Sequence, residues 1–230
     1  MNTNFEMTRS GSPEFVLQQN RVLRNTYMLL GLSMVPTVIG ALVGIQMKFS
    51  FFAGSPFIAF LVFMGVAFGF MWGIERNKNS GLGVALLLGF TFFMGLMLSR
   101  ILQVALGFSN GGSMIAMAAG GTGAVFFTMA TIASVSKRDF SGMGKFLMAG
   151  LILILLAIVA NIFFPMPALS LTIAVAMVGL FSAYILYDIS RIIHGGETNY
   201  VSATLAVYLD IYNVFVSLLQ LIMAFTGDRD

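Results

Sequence analysis

Apolar runs of about 18–25 residues recur seven times along this 230-residue chain, and each holds at most one charged side chain. A helix rising 1.5 Å per residue needs about 20 residues to cross roughly 30 Å of hydrocarbon. The chain is 58% hydrophobic and 9% charged, whereas soluble domains carry about 25% charged residues. Such an apolar excess cannot be hidden in one soluble core, so the chain reads as an all-α, polytopic membrane protein.

In chain order the spans fall at about 26–47, 51–74, 82–99, 114–135, 143–164, 168–189 and 201–225. Pro36 predicts a kink in the first, tolerated where neighbours satisfy the freed carbonyl. Residues 1–20 are expected to form a disordered cytoplasmic tail, and 21–230 a single seven-helix transmembrane domain. Residues 1–25 have no apolar core, so no cleavable signal peptide is expected. The glycines in Ala118–Gly123, and Gly65, Gly69 and Gly73 at intervals of four, are expected to let helices approach closely. No internal repeat stands out.

Lys and Arg set the orientation. Arg9, Arg21, Arg24, Arg76, Lys78, Lys137, Arg138, Lys145 and Arg191 share one side, while Lys48, Arg100 and Arg229 share the other. The bias predicts a cytoplasmic N-terminus and an external C-terminus. These basic residues are scattered over short loops, which argues against a nucleic-acid partner. With no cysteine, disulfides and thiol chemistry are excluded.

Asp188 and Asp210 are the acids inside spans six and seven. An acid in hydrocarbon costs several kcal/mol unless it faces protein or water and finds a partner, so each is a functional candidate. Helical rise puts them at roughly 10 and 15 Å from the same surface. Antiparallel neighbours could then bring the carboxyls within hydrogen-bond range, directly or through one water, where they would titrate as a pair sharing a proton. Such a pair suits a pH sensor or a cation site. The alternative is that each acid bonds a tyrosine or backbone group separately and only locks the packing.

Arg76, ending the second span, is a candidate latch for Asp188; otherwise it is an ordinary arginine at the membrane surface. Arg191, one turn beyond Asp188, is an equally cheap partner. Tyr184, Tyr187, Tyr208 and Tyr212 either donate to the acids or form an interfacial belt. Asn213, one turn from Asp210, is expected to donate to it. His194, the single histidine, reads as a solvated loop residue.

Several enzyme classes fail on residue supply. One histidine cannot build a His-Glu-x-x-His zinc site, and none is embedded to activate a serine. The last span has no lysine for a retinal Schiff base. Intramembrane aspartyl proteases pair Tyr-Asp with Gly-x-Gly-Asp on the next helix. Tyr187-Asp188 fits, but Val207 and Leu209 stand where the glycines belong, and Pro167-Ala168-Leu169 precedes both acids. The chain is therefore expected not to be an enzyme, and to need no cofactor.

Residues 20–227 resemble the Bax inhibitor-1 family. The resemblance rests on Tyr184-Ile185-Leu186-Tyr187-Asp188, on Ile192 to Tyr200, and on Tyr208-Leu209-Asp210-Ile211-Tyr212-Asn213-Val214-Phe215. Val22 to Tyr27 and the His194–Tyr200 loop resemble its proteobacterial inner-membrane branch, whose members are associated with the membrane protease FtsH as slowly degraded modulators. The resemblance implies six helices around a central seventh and a passive, pH-sensitive calcium leak with Asp188 and Asp210 as sensor. It implies an arginine latch on the second helix, for which Arg76 is the nearest match. It also leaves a second expectation, a partner of FtsH without essential ion transport.

Overall fold

The computed structural model describes residues 13–48, 56–136 and 138–226. It contains α1 (Pro13–Gln46), α2 (Pro56–Asn77), α3 (Gly81–Leu106), α4 (Gly111–Val135), α5 (Gly144–Phe163), α6 (Pro167–Ile193) and α7 (Tyr200–Thr226), with a 3-10 turn at Ser141–Met143 before α5. Among the described residues, seven helices are long and apolar enough to cross a membrane, as the apolar runs require. α1 continues through Pro36, where the Ser33 and Thr37 hydroxyls bond the carbonyls of Leu30 (2.7 Å) and Ser33 (2.9 Å). It also begins earlier than expected. Residues 13–20, read from sequence as disordered tail, form its first turns, whereas residues 1–12 lie outside the described residues.

α7 is central, packing on α6, α4, α1, α3 and α2. α5 lies outermost, against α6, with Phe146 and Leu153 facing outward. The main core gathers Ile74, Leu87, Phe90, Ile185, Ile189, Val207 and Tyr208 around α7. A second cluster, with Met114, Ala118 and Leu219, fills the opposite end. Large apolar side chains such as Trp72 and Phe127 cover the outside, as expected where the solvent is lipid rather than water.

The closest helix approach is not where glycine spacing predicts it. A Cβ at Gly65, Gly69, Gly120 or Gly123 would meet nothing within 4 Å, at Gly73 only Leu86, at 3.5 Å, and at Gly121 only the Leu218 side chain of α7, at 3.3 Å. A Cβ at Gly40 would instead strike the carbonyl of Phe92, and one at Gly95 that of Thr37. The tight interface is thus α1 on α3, backbone against backbone. Spacing shows where helices can come close, but the route of the bundle decides which of those places meets a neighbour.

Candidate functional site

Asp188 stands five residues before the end of α6 and Asp210 ten residues into α7, about 8 and 15 Å from the α6–α7 turn. The turn that aligns them is a Schellman cap. Gly195, at φ +80, supplies the left-handed residue. Gly196 N–H donates to Arg191 O at 2.8 Å and Gly195 N–H to Ile192 O at 3.3 Å. Asn199 then starts α7 as its cap, Oδ1 accepting from Val201 N–H (2.9 Å) and Ser202 N–H (3.2 Å).

The same Asn199 fastens the turn to the end of α2. Its Nδ2 donates to Asn79 Oδ1 at 2.7 Å, and Ser202 Oγ donates to Glu75 Oε2 at 2.7 Å. Asn199→Ala removes both the cap and the tie. We expect it to lower stability by about 1–2 kcal/mol, read as a fall in the thermal unfolding midpoint in detergent.

Both acids are buried, at 8% exposure for Asp188 and 4% for Asp210. Their carboxyl groups lie within hydrogen-bonding range of each other. Asp210 Oδ2 finds no donor among the described residues, so a proton shared with Asp188 is what would satisfy it. Tyr184, one turn before Asp188, lies within electrostatic range of both acids.

The cation beside the pair is Arg191. Its Nη1 lies 3.7 Å from Asp188 Oδ1, and its Nη2 lies 3.9 Å from Glu197 Oε2 and donates to Gly196 O at 3.3 Å. The guanidinium also stands 5.5 Å from the centre of the Tyr187 ring. Arg76 is exposed and covers Trp72 at 5.2 Å; no ion pair joins it to Asp188 among the described residues. Helical spacing favours Arg191, because three residues along the same helix leave no loop to order.

Two other expected supports turn elsewhere. Asn213 Nδ2 donates to Leu209 O at 2.8 Å, within its own helix, rather than to Asp210. Tyr208 shares a hydrogen bond with Thr37 Oγ1 at 2.9 Å, and Tyr212 donates to Met94 O at 3.3 Å. These tyrosines pin α7 to α1 and α3. Sequence spacing placed them near the acids, but only the rotation of α7 decides which way a ring points.

His194, read as a loop residue, is part of a cluster that the sequence did not reveal. Its Nδ1 is 3.6 Å from Asp139 Oδ1, and Ser190 Oγ donates to the same oxygen at 3.3 Å. Phe140 N–H in turn donates to Ser190 Oγ at 2.9 Å. The Ser141 hydroxyl and N–H beside it hold the Asp139 carboxyl below its usual range. The segment after α4 is thereby clasped to the end of α6, two residues from Asp188. These partners lie about 50 residues apart in sequence, so no local pattern announces them.

No group of three or more His, Cys, Asp or Glu gathers among the described residues. Two carboxylates offer at most about four oxygens, whereas a resident calcium ion takes about 6–8. The arrangement therefore suits exchange of a proton or brief contact with a passing cation better than storage of a metal.

Comparison with known proteins agrees with the motifs. A family model described as inhibitor of apoptosis-promoting Bax1 matches residues 19–227. The modulator of FtsH protease YccA of Escherichia coli K12 is 39% identical over 207 residues, covering 90% of this chain and 91% of that protein. Its counterpart in Escherichia coli O6:H1, with the same identity and coverage, is described as an inner membrane protein. A Neisseria meningitidis serogroup A protein of undescribed role is 38% identical over 214 residues, covering 92% and 94%. A family match across nearly the whole chain, with seven helices and full-length relatives, makes this multi-pass membrane protein a member of the Bax inhibitor-1 family.

Proposed function

We propose that this protein is a passive, pH-sensitive cation leak, with calcium as the permeant ion and the Asp188–Asp210 pair as its gate. It acts in the bacterial inner membrane with its N-terminus in the cytoplasm. The observation that carries the reading is two buried carboxyls facing one another, one on the central α7 and one on α6, the helix before it. Adding or removing the shared proton changes the charge at that contact. In a low-dielectric site a unit of charge is worth several kcal/mol, enough to bias the fit of α6 against α7. Arg191 takes the part of latch in place of Arg76, because it is the cation beside Asp188. Calcium flux in proteoliposomes, followed across pH for the parent, Asp188→Asn and Asp210→Asn, tests the reading. Unchanged flux and pH response in both variants would remove it.

A second reading, modulation of the FtsH protease, is favoured by the relative of that name. An ATP-driven unfoldase needs a segment to grip, and a polar terminus is where such grips concentrate. Deleting residues 2–12 leaves the whole described length of α1, Pro13–Gln46, in the chain. The expected outcome is slower degradation by FtsH with calcium flux intact. Degradation at the parent rate would defeat the tail argument.

A further inference from the structure

A groove runs between α1 and α4, with α7 as its floor. It holds two adjoining cavities of about 470 and 660 Å³, which share Met34, Phe126 and Ile211. α1 contributes a continuous face from Tyr27 to Ile45, about 27 Å of helix rise and so close to the thickness of a bilayer's hydrocarbon. Tyr27 and Phe126 meet edge to face across it, with ring centres 6.0 Å apart. The walls include Gly31 and Gly123, where a Cβ would meet nothing within 4 Å. Unlike the α1–α3 contact, this seam has room for a guest.

Two arginines lie in the chain just beyond the lining residues at one end of the groove. Arg24 lies one turn before Tyr27 at the edge of the lining face, and Arg138 follows shortly after the last wall residue, Val135. Both are exposed, and neither makes an ion pair among the described residues. Asp139, the acid next to Arg138, is already engaged by Ser190, His194 and Ser141. An apolar slot as deep as a bilayer, with free guanidinium groups at one end, complements a molecule with a hydrocarbon chain and an anionic head.

We propose that the α1–α4 groove binds an anionic phospholipid, one acyl chain lying against α7 and the phosphate held by Arg24 and Arg138. Guanidinium suits this role because its planar fork donates two hydrogen bonds to one phosphate. The chain would rest against Tyr208, Ile211 and Phe215, on the helix that carries Asp210. Lipid occupancy would then influence the position of that helix.

The test is native mass spectrometry of the full-length protein incubated with phosphatidylglycerol or with phosphatidylcholine of identical chains. The parent should retain one phosphatidylglycerol in preference to phosphatidylcholine, by about fivefold for each engaged arginine. Arg24→Gln with Arg138→Gln should bring that ratio near one, since both side chains are exposed and the fold does not depend on them. Gly31→Trp should reduce retention of both lipids, because it fills the groove where no internal atom opposes it. Each variant's thermal midpoint should match the parent's. Equal retention of the two lipids by the parent, an unchanged ratio in the arginine variant, or a cross-linked second copy of the chain seated in the groove would each overturn the proposal. None of these readouts depends on ion flux.

Discussion

Calcium efflux from proteoliposomes carrying Asp210→Asn or Asp188→Asn is expected to lose its pH dependence. In the parent, lowering the pH from about 8 to 6 should raise the rate by about tenfold, the effect of roughly 1.4 kcal/mol of proton-linked bias on the gate. Asparagine keeps the size of aspartate but cannot take up the proton, so either variant should vary less than about twofold over that range. One substitution is enough because the shared proton belongs to the pair, and the introduced amide N–H takes its place as donor to the remaining carboxylate. Arg76→Gln should leave the profile intact, since its guanidinium lies over Trp72. Arg191→Gln should change the profile, since Arg191 is the cation 3.7 Å from Asp188. A profile altered by Arg76→Gln and unmoved by Arg191→Gln would reverse the assignment of the latch.

Gly95→Val, and equally Gly40→Val, is expected to break the packing of α1 on α3. Each Cβ would overlap a backbone carbonyl of the opposite helix, Thr37 O for Gly95 and Phe92 O for Gly40. A flexible side chain could move aside, but a helix backbone can yield only by separating the two helices. Between α1 and α3 that separation would forfeit the broadest contact in the bundle. Overpacking of this kind costs about 3 kcal/mol, or a fall of about 10 °C in the thermal midpoint for a chain of this size. Gly123→Val serves as the control, because its Cβ meets nothing and should leave the midpoint within about 2 °C. Equal midpoints for the Gly95 and Gly123 variants would show that the close approach contributes nothing to stability.

How far the site was legible follows from the range of each interaction. Asp188 and Asp210 stand out in sequence because a carboxyl inside an apolar run is costly wherever the run folds. Their meeting was legible too, since a short turn forces neighbouring helices to be antiparallel and places both acids near the same end. The Arg191 contact is helix arithmetic, three residues along one helix. The clasp of Asp139 on Ser190 and His194 was not legible, because it depends on how the segment after α4 returns to the end of α6. Asn213 shows the same limit from the other side. It is one turn from Asp210 yet donates to Leu209 O, since an amide in a helix always has a carbonyl of the preceding turn within reach.

By itself, the sequence determined the class of the protein, the number of spans, the family and the two acids. All of these follow from transfer free energies and from motifs that act over a few residues. Only the tertiary structure decided that the close contact of α1 and α3 sets Gly40 on the Phe92 carbonyl and Gly95 on that of Thr37, that Tyr208 and Tyr212 turn to α1 and α3, and that α1 and α4 stand apart around a groove. Those outcomes depend on helix rotation and on the order of neighbours in the bundle. Lipid-facing and protein-facing positions are almost equally apolar in a membrane protein, so hydropathy does not encode which face of a helix turns inward.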